Sequence, residues 1–170
     1  METTAAAISA KGVPGSTDDI SRVLTEHVAA ALRSEIQWRP GAVALVEVLH
    51  DADVQQAIVT TSPMNIVEVV AAALPAGAIS VLVTEESVSR GKPDPEPYLL
   101  AARRLGVEIR RCVAVEDSPT GLQAAVRSGA AVLAVPCDVP IELAPAWSRS
   151  DSLEGLTLAD LHGLVKPSAR

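Results

Sequence analysis

Short apolar segments alternate along this chain with longer segments whose apolar residues recur at helical spacing. The spacing predicts strands over 54–59, 79–83, 112–115 and 131–135, and helices over 18–36, 63–74, 95–105 and 119–128, with another helix beginning at Pro40. Strands separated by helices of this length are typical of βαβ units with right-handed crossovers. We therefore predict an α/β fold, a Rossmann-like and mostly parallel sheet with flanking helices.

Composition and net charge limit the kinds of molecule that this chain is expected to bind. At 170 residues, with 48% hydrophobic and only 2% aromatic residues, the chain can form one domain with an aliphatic core. Its net charge of −7 argues against nucleic acid and against an anionic membrane as partners. No signal peptide is apparent after Met1, and Glu68, Pro75 and Gly77 interrupt the apolar run over 66–83. We expect a cytoplasmic protein.

Polar residues follow three of the predicted strands. Thr60 comes directly after the first, Lys92 lies in an Arg-Gly-Lys-Pro-Asp loop after the second, and Glu116 and Asp117 follow the third. Because ligands of open α/β sheets bind beyond the carboxyl ends of the strands, we expect these side chains to converge. Lysine offers a compact positive charge to phosphate, and carboxylates offer the hard oxygen ligands that Mg²⁺ prefers.

Several segments in this order resemble the haloacid dehalogenase-like hydrolase superfamily, in the branch with a helical cap inserted after the first strand. They are Arg39-Pro-Gly41 and residues 57–63, 90–94, 113–118 and 121–125, so the resemblance covers roughly 38–137. It implies a loose tail over 1–15, a remnant of the helical cap over 16–38, an α/β core over 39–163 and a second tail over 164–170.

The resemblance also implies roles for individual residues. Thr60 and the backbone amide of Thr61 would bind the phosphoryl group, and Lys92 would neutralise its charge. Asp117 would be a direct Mg²⁺ ligand. Glu116 would support the site without touching the ion, or would contact the ion through a water molecule. Arg90 is either a surface residue or a contact to the substrate phosphate.

The implied activity is that of a Mg²⁺-dependent phosphatase or phosphomutase acting on a small phosphorylated metabolite such as a sugar phosphate. In this chemistry an aspartate attacks phosphorus, and water then cleaves the aspartyl-phosphate. The family carries that aspartate in an Asp-x-Asp motif on its first strand, and no such motif precedes Thr60. Asp51-Ala-Asp53 follows a helix and precedes Val54, so we do not assign it as the nucleophile.

The chain therefore resembles a family member that lacks its first strand and most of its cap. That strand would lie between the strands predicted over 54–59 and 112–115. Each buried backbone group left unpaired there costs about 1–3 kcal/mol. The two edges would pair with each other, accept a strand from the tail or from another chain in an oligomer, or stay open. We predict low stability, with a urea midpoint below that of intact domains of this size.

Three hypotheses follow for function. In the first hypothesis, the true start codon lies upstream of Met1 and the whole protein is a phosphohydrolase. Alternatively, the chain is a non-catalytic remnant or anion-binding module that binds phosphate or Mg²⁺ without turnover. In the third, another chain supplies the missing strand. Whether these 170 residues are themselves an enzyme stays open at this point.

Overall fold

The computed structural model of the protein describes residues 6–8, 10–12, 14–137 and 139–165. Its helices in these ranges are α1 (Thr17–Ser34), α2 (Ala42–Asp51), α3 (Met64–Ala72), α4 (Glu96–Leu105), α5 (Pro119–Ser128) and α6 (Leu158–Leu164). Its strands are β1 (Ala57–Val59), β2 (Val81–Val83), β3 (Val113–Glu116), β4 (Ala131–Ala134) and β5 (Ser148–Arg149). Strands and helices alternate from β1 to β4, and the predicted α/β fold is confirmed.

Local signals in the sequence explain where the helices begin and end. Ser16 caps α1 through a reciprocal capping box with Asp19, and Ser118 caps α5 by accepting the Gly121 amide. Helices α4 and α5 end at Gly106 and Gly129, both in the left-handed conformation that glycine adopts without steric cost. These residues place α4 and α5 within one residue of the predicted bounds.

The parallel strands form two separate hydrogen-bonded groups. Among the described strands β1 pairs with β2 alone, with Ala57 opposite Val81 and Val59 opposite Val83. Strand β3 pairs with β4, and β4 with β5, with Val113 opposite Ala131. Within the described residues no ladder joins β1 to β3, so the two edges do not pair with each other. The discontinuity lies where the sequence predicts a missing strand.

The three-stranded group is covered on both faces. Val132 and Ala134 of β4 belong to a buried cluster with Leu122 and neighbouring side chains of α4 and α5. Leu133 and Val135 point to the opposite face, in a cluster with Leu45 and Leu49 of α2 and Leu161 of α6. This alternation along β4 is typical of a parallel strand buried between two helical layers.

Helix α1, predicted as the cap remnant, packs against α3 at one side of the molecule. Its buried residues include Ile20 and Ala29, while Val23 and Val28 stay exposed. None of the described helices combines the length and the apolar character needed to cross a bilayer. Of the predicted tails over 1–15 and 164–170, residues 1–5, 9, 13 and 166–170 lie outside the described residues.

Candidate active site

A cleft of about 430 Å³ opens where β1 and β3 end side by side without pairing. It is lined by Thr60 and Thr61 after β1, by Glu116 and Asp117 at the end of β3, and by Lys92 from the loop after β2. Arg39, Ser118, Thr120, Val135 and Leu153 also line it. Five of the six predicted site residues therefore meet in one cleft. The parallel arrangement explains this, because the carboxyl ends of parallel strands lie at the same edge of a sheet.

Thr60 is the first residue beyond β1, and its amide donates to the Val83 carbonyl at 2.9 Å, which extends the ladder by one step. Its hydroxyl oxygen accepts the Ser62 amide at 3.1 Å. A hydroxyl that accepts in this way keeps its own proton for donation to a ligand. Thr61 is exposed and also lines the cleft. This turn therefore presents a hydroxyl donor at the cleft wall.

Lys92 spans the gap between the two groups of strands. Its Nζ donates to the Val59 carbonyl at the end of β1, at 3.0 Å, and also to the Glu116 carboxylate at the end of β3. The two side chains are only 9% and 6% exposed, so this is a buried ion pair. The Lys92 ammonium also lies 5.2 Å from the centre of the Tyr98 ring, within range of a cation–π interaction.

Glu116 is fixed by three donors. Besides Lys92, the Tyr98 hydroxyl donates to Oε1 and the Ser118 hydroxyl donates to Oε2 at 3.2 Å. Burial raises the pKa of Tyr98 well above its usual value, and the Glu116 charge raises it further, so this donor stays protonated. A Cβ at Gly121 would lie 1.9 Å from Glu116 Oε2, so only glycine leaves room for the carboxylate.

Asp117 contrasts with Glu116 in the same cleft. It is exposed, stands at the start of α5 and makes no ion pair with any described residue. A free carboxylate at this place fits the oxygen chemistry that Mg²⁺ requires. Glu116 fits less well as a direct ligand, because both of its oxygens already accept hydrogen bonds. Within the described ranges no group of three or more acidic, His or Cys side chains could enclose a metal ion.

Arg90 is the predicted site residue that the fold does not bring into the cleft. Its side chain is 72% exposed and forms ion pairs with Asp94 at 3.3 Å and Glu96 at 3.6 Å. Glu96 also accepts hydrogen bonds from the backbone amides of Ser89 and Arg90. Arg90 therefore belongs to a network that holds the loop carrying Lys92.

The Asp-x-Asp sequence lies away from the cleft. Asp51 is the last residue of α2, and Asp53 follows in a turn with a positive φ of 55°, its amide bonded to the His50 carbonyl. Neither residue lines the cleft. The position agrees with the assignment of this stretch as a helix-to-strand turn. Apart from Glu116 and Asp117, no carboxylate of the described residues lines the cleft.

Sequence reasoning assigned no role to Tyr98 or Arg39. Tyr98 is the chain's single tyrosine and lies in the first turn of α4, the helix that follows the Lys92 loop. This position is the feature of the sequence that could have pointed to a role at the site. Arg39 belongs to the Arg-Pro-Gly segment, which contributes to the family resemblance without a role of its own. Both act through partners more than 15 residues away, at Glu116 and Pro136.

Comparisons with known proteins identify the family of this chain. A family model described as haloacid dehalogenase-like hydrolase matches residues 5–129. Hexitol phosphatase A of Escherichia coli is 42% identical over 119 residues, which are 68% of this chain and 54% of that protein. Protein CbbY of Cereibacter sphaeroides is 39% identical over 116 residues, 65% of this chain and 50% of that protein.

A solved structure shows the same architecture. The crystal structure of CbbY from Rhodobacter sphaeroides in complex with phosphate superposes with a TM-score of 0.80 at 33% identity, covering 88% of this chain and 70% of that one. The chain spans about half the length of the curated relatives it matches. With the match over 5–129 and the relatives' similarity, this chain belongs to the haloacid dehalogenase-like hydrolases.

Proposed function

We propose that the cleft binds the phosphoryl group of a small phosphorylated metabolite such as a sugar phosphate, for Mg²⁺-dependent hydrolysis in the cytoplasm. The convergence of Thr60, Lys92 and Asp117 on one cleft carries this proposal. The names of its relatives support the substrate class, since one is a hexitol phosphatase and another a phosphatase of a phosphoribitylamino compound. A phosphomutase relative would use the same binding groups.

Each residue has a separate task in this proposal. The Thr60 hydroxyl and the Thr61 amide donate to phosphoryl oxygens, and Lys92 places positive charge beside them. Asp117 would hold Mg²⁺, which when bound stabilises negative charge on phosphoryl oxygens. Glu116 keeps Lys92 in place through their buried ion pair, so its role is positioning rather than direct binding.

Turnover through an aspartyl-phosphate requires a carboxylate besides Asp117, which would hold Mg²⁺, and Glu116, which is paired with Lys92, and no other carboxylate of the described residues lines the cleft. We propose that a strand carrying it fits between β1 and β3, supplied by chain upstream of this sequence or by another chain in an oligomer. The free edges of β1 and β3 support this, as does the 41% exposure of Val115 on β3 beside the cleft. Sedimentation showing only monomers would contradict the oligomeric form.

A second candidate function is anion binding without turnover. The observation that favours it is that Glu116, which is paired with Lys92, and Asp117 are the only carboxylates that line the cleft among the described residues. This candidate predicts that the chain binds phosphate or Mg²⁺ weakly and hydrolyses nothing.

Hydrolysis of p-nitrophenyl phosphate by the purified chain separates the two candidates. The phosphohydrolase predicts release of p-nitrophenol that requires Mg²⁺ and is abolished in Lys92→Ala. Thr60→Val, which keeps the side-chain shape, should reduce the rate without unfolding the protein. Phosphate binding without any hydrolysis would favour the anion-binding module over an enzyme that is completed by another copy of this chain, and absence of both would contradict the whole proposal.

A further inference from the structure

Tyr98 contacts both members of the ion pair that bridges the two groups of strands. It lies in the first turn of α4, is only 8% exposed, and packs in the buried cluster that contains Leu122 and Ala125. Its hydroxyl donates to Glu116 Oε1, and the centre of its ring lies 5.2 Å from the Lys92 ammonium. The core therefore fixes the ring of Tyr98, and its hydroxyl reaches the site.

The Lys92 ammonium has one donor more than it has partners in the described part of the chain. Of its three N–H groups, one donates to the Val59 carbonyl at 3.0 Å and one to Glu116 Oε1. Lys92 also lines the cleft. In the proposed phosphate site, a phosphoryl oxygen accepts the third bond, and positive charge is then shared between the ligand and Glu116.

This sharing leaves the Glu116 carboxylate less well compensated. Its side chain is only 6% exposed, and a buried charge that loses its partner is strongly destabilising. The other donors to this carboxylate are the Tyr98 hydroxyl at Oε1 and the Ser118 hydroxyl at Oε2, the latter at 3.2 Å. Tyr98 donates to the same oxygen as Lys92, so its bond strengthens when the Lys92 bond weakens.

The surroundings of Tyr98 keep it a donor in both situations. Burial raises the pKa of its hydroxyl well above the usual value, and the charge of Glu116 raises this pKa further. The ring is already packed in the core, so the hydroxyl needs no reorganisation when a ligand arrives. Tyr98 is not among the residues that line the cleft, so any effect on the ligand is indirect.

We propose that Tyr98 is a positioning residue, which stabilises the buried Glu116 carboxylate while Lys92 binds the phosphoryl group. Its hydroxyl lowers the free-energy cost of drawing positive charge from Glu116 toward the ligand. Tyr98 therefore raises the affinity for phosphate without contacting it. This role rests on the proposed phosphate site and adds a residue to it.

A double-mutant cycle distinguishes this role from simple packing. Inorganic phosphate is titrated at fixed Mg²⁺ and ionic strength, and the Thr60 amide is followed in ¹H–¹⁵N spectra. Tyr98→Phe keeps the ring beside Lys92 and should weaken phosphate binding about tenfold, as expected for one charge-assisted hydrogen bond. In a Glu116→Gln background no carboxylate charge needs stabilisation, so the same substitution should change the affinity by less than about twofold.

Leu99→Ala, at an exposed position of the same helix, is the matched control and should bind phosphate like the wild type. Equal weakening by Tyr98→Phe in the two backgrounds would indicate a packing defect and would overturn the role of Tyr98.

A second measurement needs no substitution, because Tyr98 is the only tyrosine of the chain. With tyrosine labelled by ¹³C at Cζ, one resonance reports the hydrogen bond of the hydroxyl. Saturation with phosphate should shift this resonance with the same midpoint as the Thr60 amide, and sodium chloride at equal ionic strength should not shift it. An unshifted Cζ resonance in the phosphate-saturated protein would contradict the role of Tyr98.

Lys92→Ala separates this inference from the proposed function, since it should weaken phosphate binding whether or not Tyr98 contributes. If Lys92→Ala weakens binding and a folded Tyr98→Phe protein binds like the wild type, the phosphate site stands and the role of Tyr98 is wrong. If the wild type binds no phosphate, or Lys92→Ala binds it equally well, the phosphate site itself is wrong.

Discussion

The two groups of strands differ in how completely they are covered. Strand β4 pairs on both edges and contributes side chains to buried clusters on both faces. All three residues of β1 are only half-buried, and one edge of β1 has no partner strand in the part of the chain that the structure describes. The cleft lies between the two groups and is bridged by the side chain of Lys92. We infer that most stability resides in the β3–β5 group, and that the binding groups lie where backbone pairing is interrupted.

The largest effect should come from removing a core side chain of the better covered group. Leu122 on α5 is 1% exposed, and Leu122→Ala should lower the free energy of unfolding by roughly 2–5 kcal/mol. The matched change Leu82→Ala on half-buried β2 should cost clearly less, because more of that side chain already contacts water. Urea unfolding measures both, and equal losses would contradict the unequal distribution of stability.

Tyr98→Phe tests the link between the groups. The substitution keeps the ring near Lys92 but removes the hydroxyl that donates to Glu116. Loss of a hydrogen bond to a charged group should cost roughly 1.5–3 kcal/mol. Urea unfolding measures this cost, with Leu99→Ala at an exposed position of the same helix as control. An unchanged unfolding free energy would show that the hydroxyl does not hold Glu116.

Hydrogen exchange should distinguish the strands without any mutation. Amides of β4 are expected to exchange most slowly, because their exposure requires the opening reactions with the largest free energy. Strand β4 has partner strands on both sides and lies between two helical layers. Amides of β1 should exchange faster, through local opening at the free edge. Uniform protection across β1 and β4 would indicate one cooperative unit, contrary to the comparison.

The smallest effect concerns pH and the loop that carries Lys92. Hydrogen bonds from the Ser89 amide and hydroxyl hold the pKa of Glu96 below its ordinary value of 4.5. Because the folded pKa is lower than the unfolded one, the stabilisation is complete above pH 4.5 and is lost as pH falls through the folded pKa. Glu96→Gln should reduce the acid sensitivity of the unfolding free energy.

The capping carboxylates Asp19 and Asp160, whose pKa values are also lowered, should leave a residual dependence on acid. Glu68→Gln, on exposed α3 surface, serves as the matched control and should reproduce the wild-type curve. A Glu96→Gln curve identical to the wild type would show that the loop network does not couple to folding.

Parts of the fold followed from local signals, and other parts did not. Helices α4 and α5 could be predicted closely because Pro95, Gly106, Pro119 and Gly129 mark their ends. Strand β5 could not, since two residues carry no periodicity. The apolar spacing did not predict helix α6, although its capping box, Thr157 with Asp160, is present in the sequence.

The site divides in the same way. Thr60, Lys92 and Asp117 could be brought together in advance because each follows a strand of a parallel sheet. The bond from Tyr98 to Glu116 and that from Arg39 to Pro136 depend on how helices pack over the sheet. No local pattern records such packing, so neither residue could be assigned a role.

A phosphate titration followed by ¹H–¹⁵N correlation spectra in the presence of Mg²⁺ tests the central claim most directly. We predict saturable shifts at the amides of Thr60, Thr61, Lys92 and Asp117, with α1 unaffected and with shifts at residue 60 reduced in Thr60→Val. Saturable shifts confined to other surfaces, or no shifts at millimolar phosphate, would contradict the assignment of this cleft as a phosphate site.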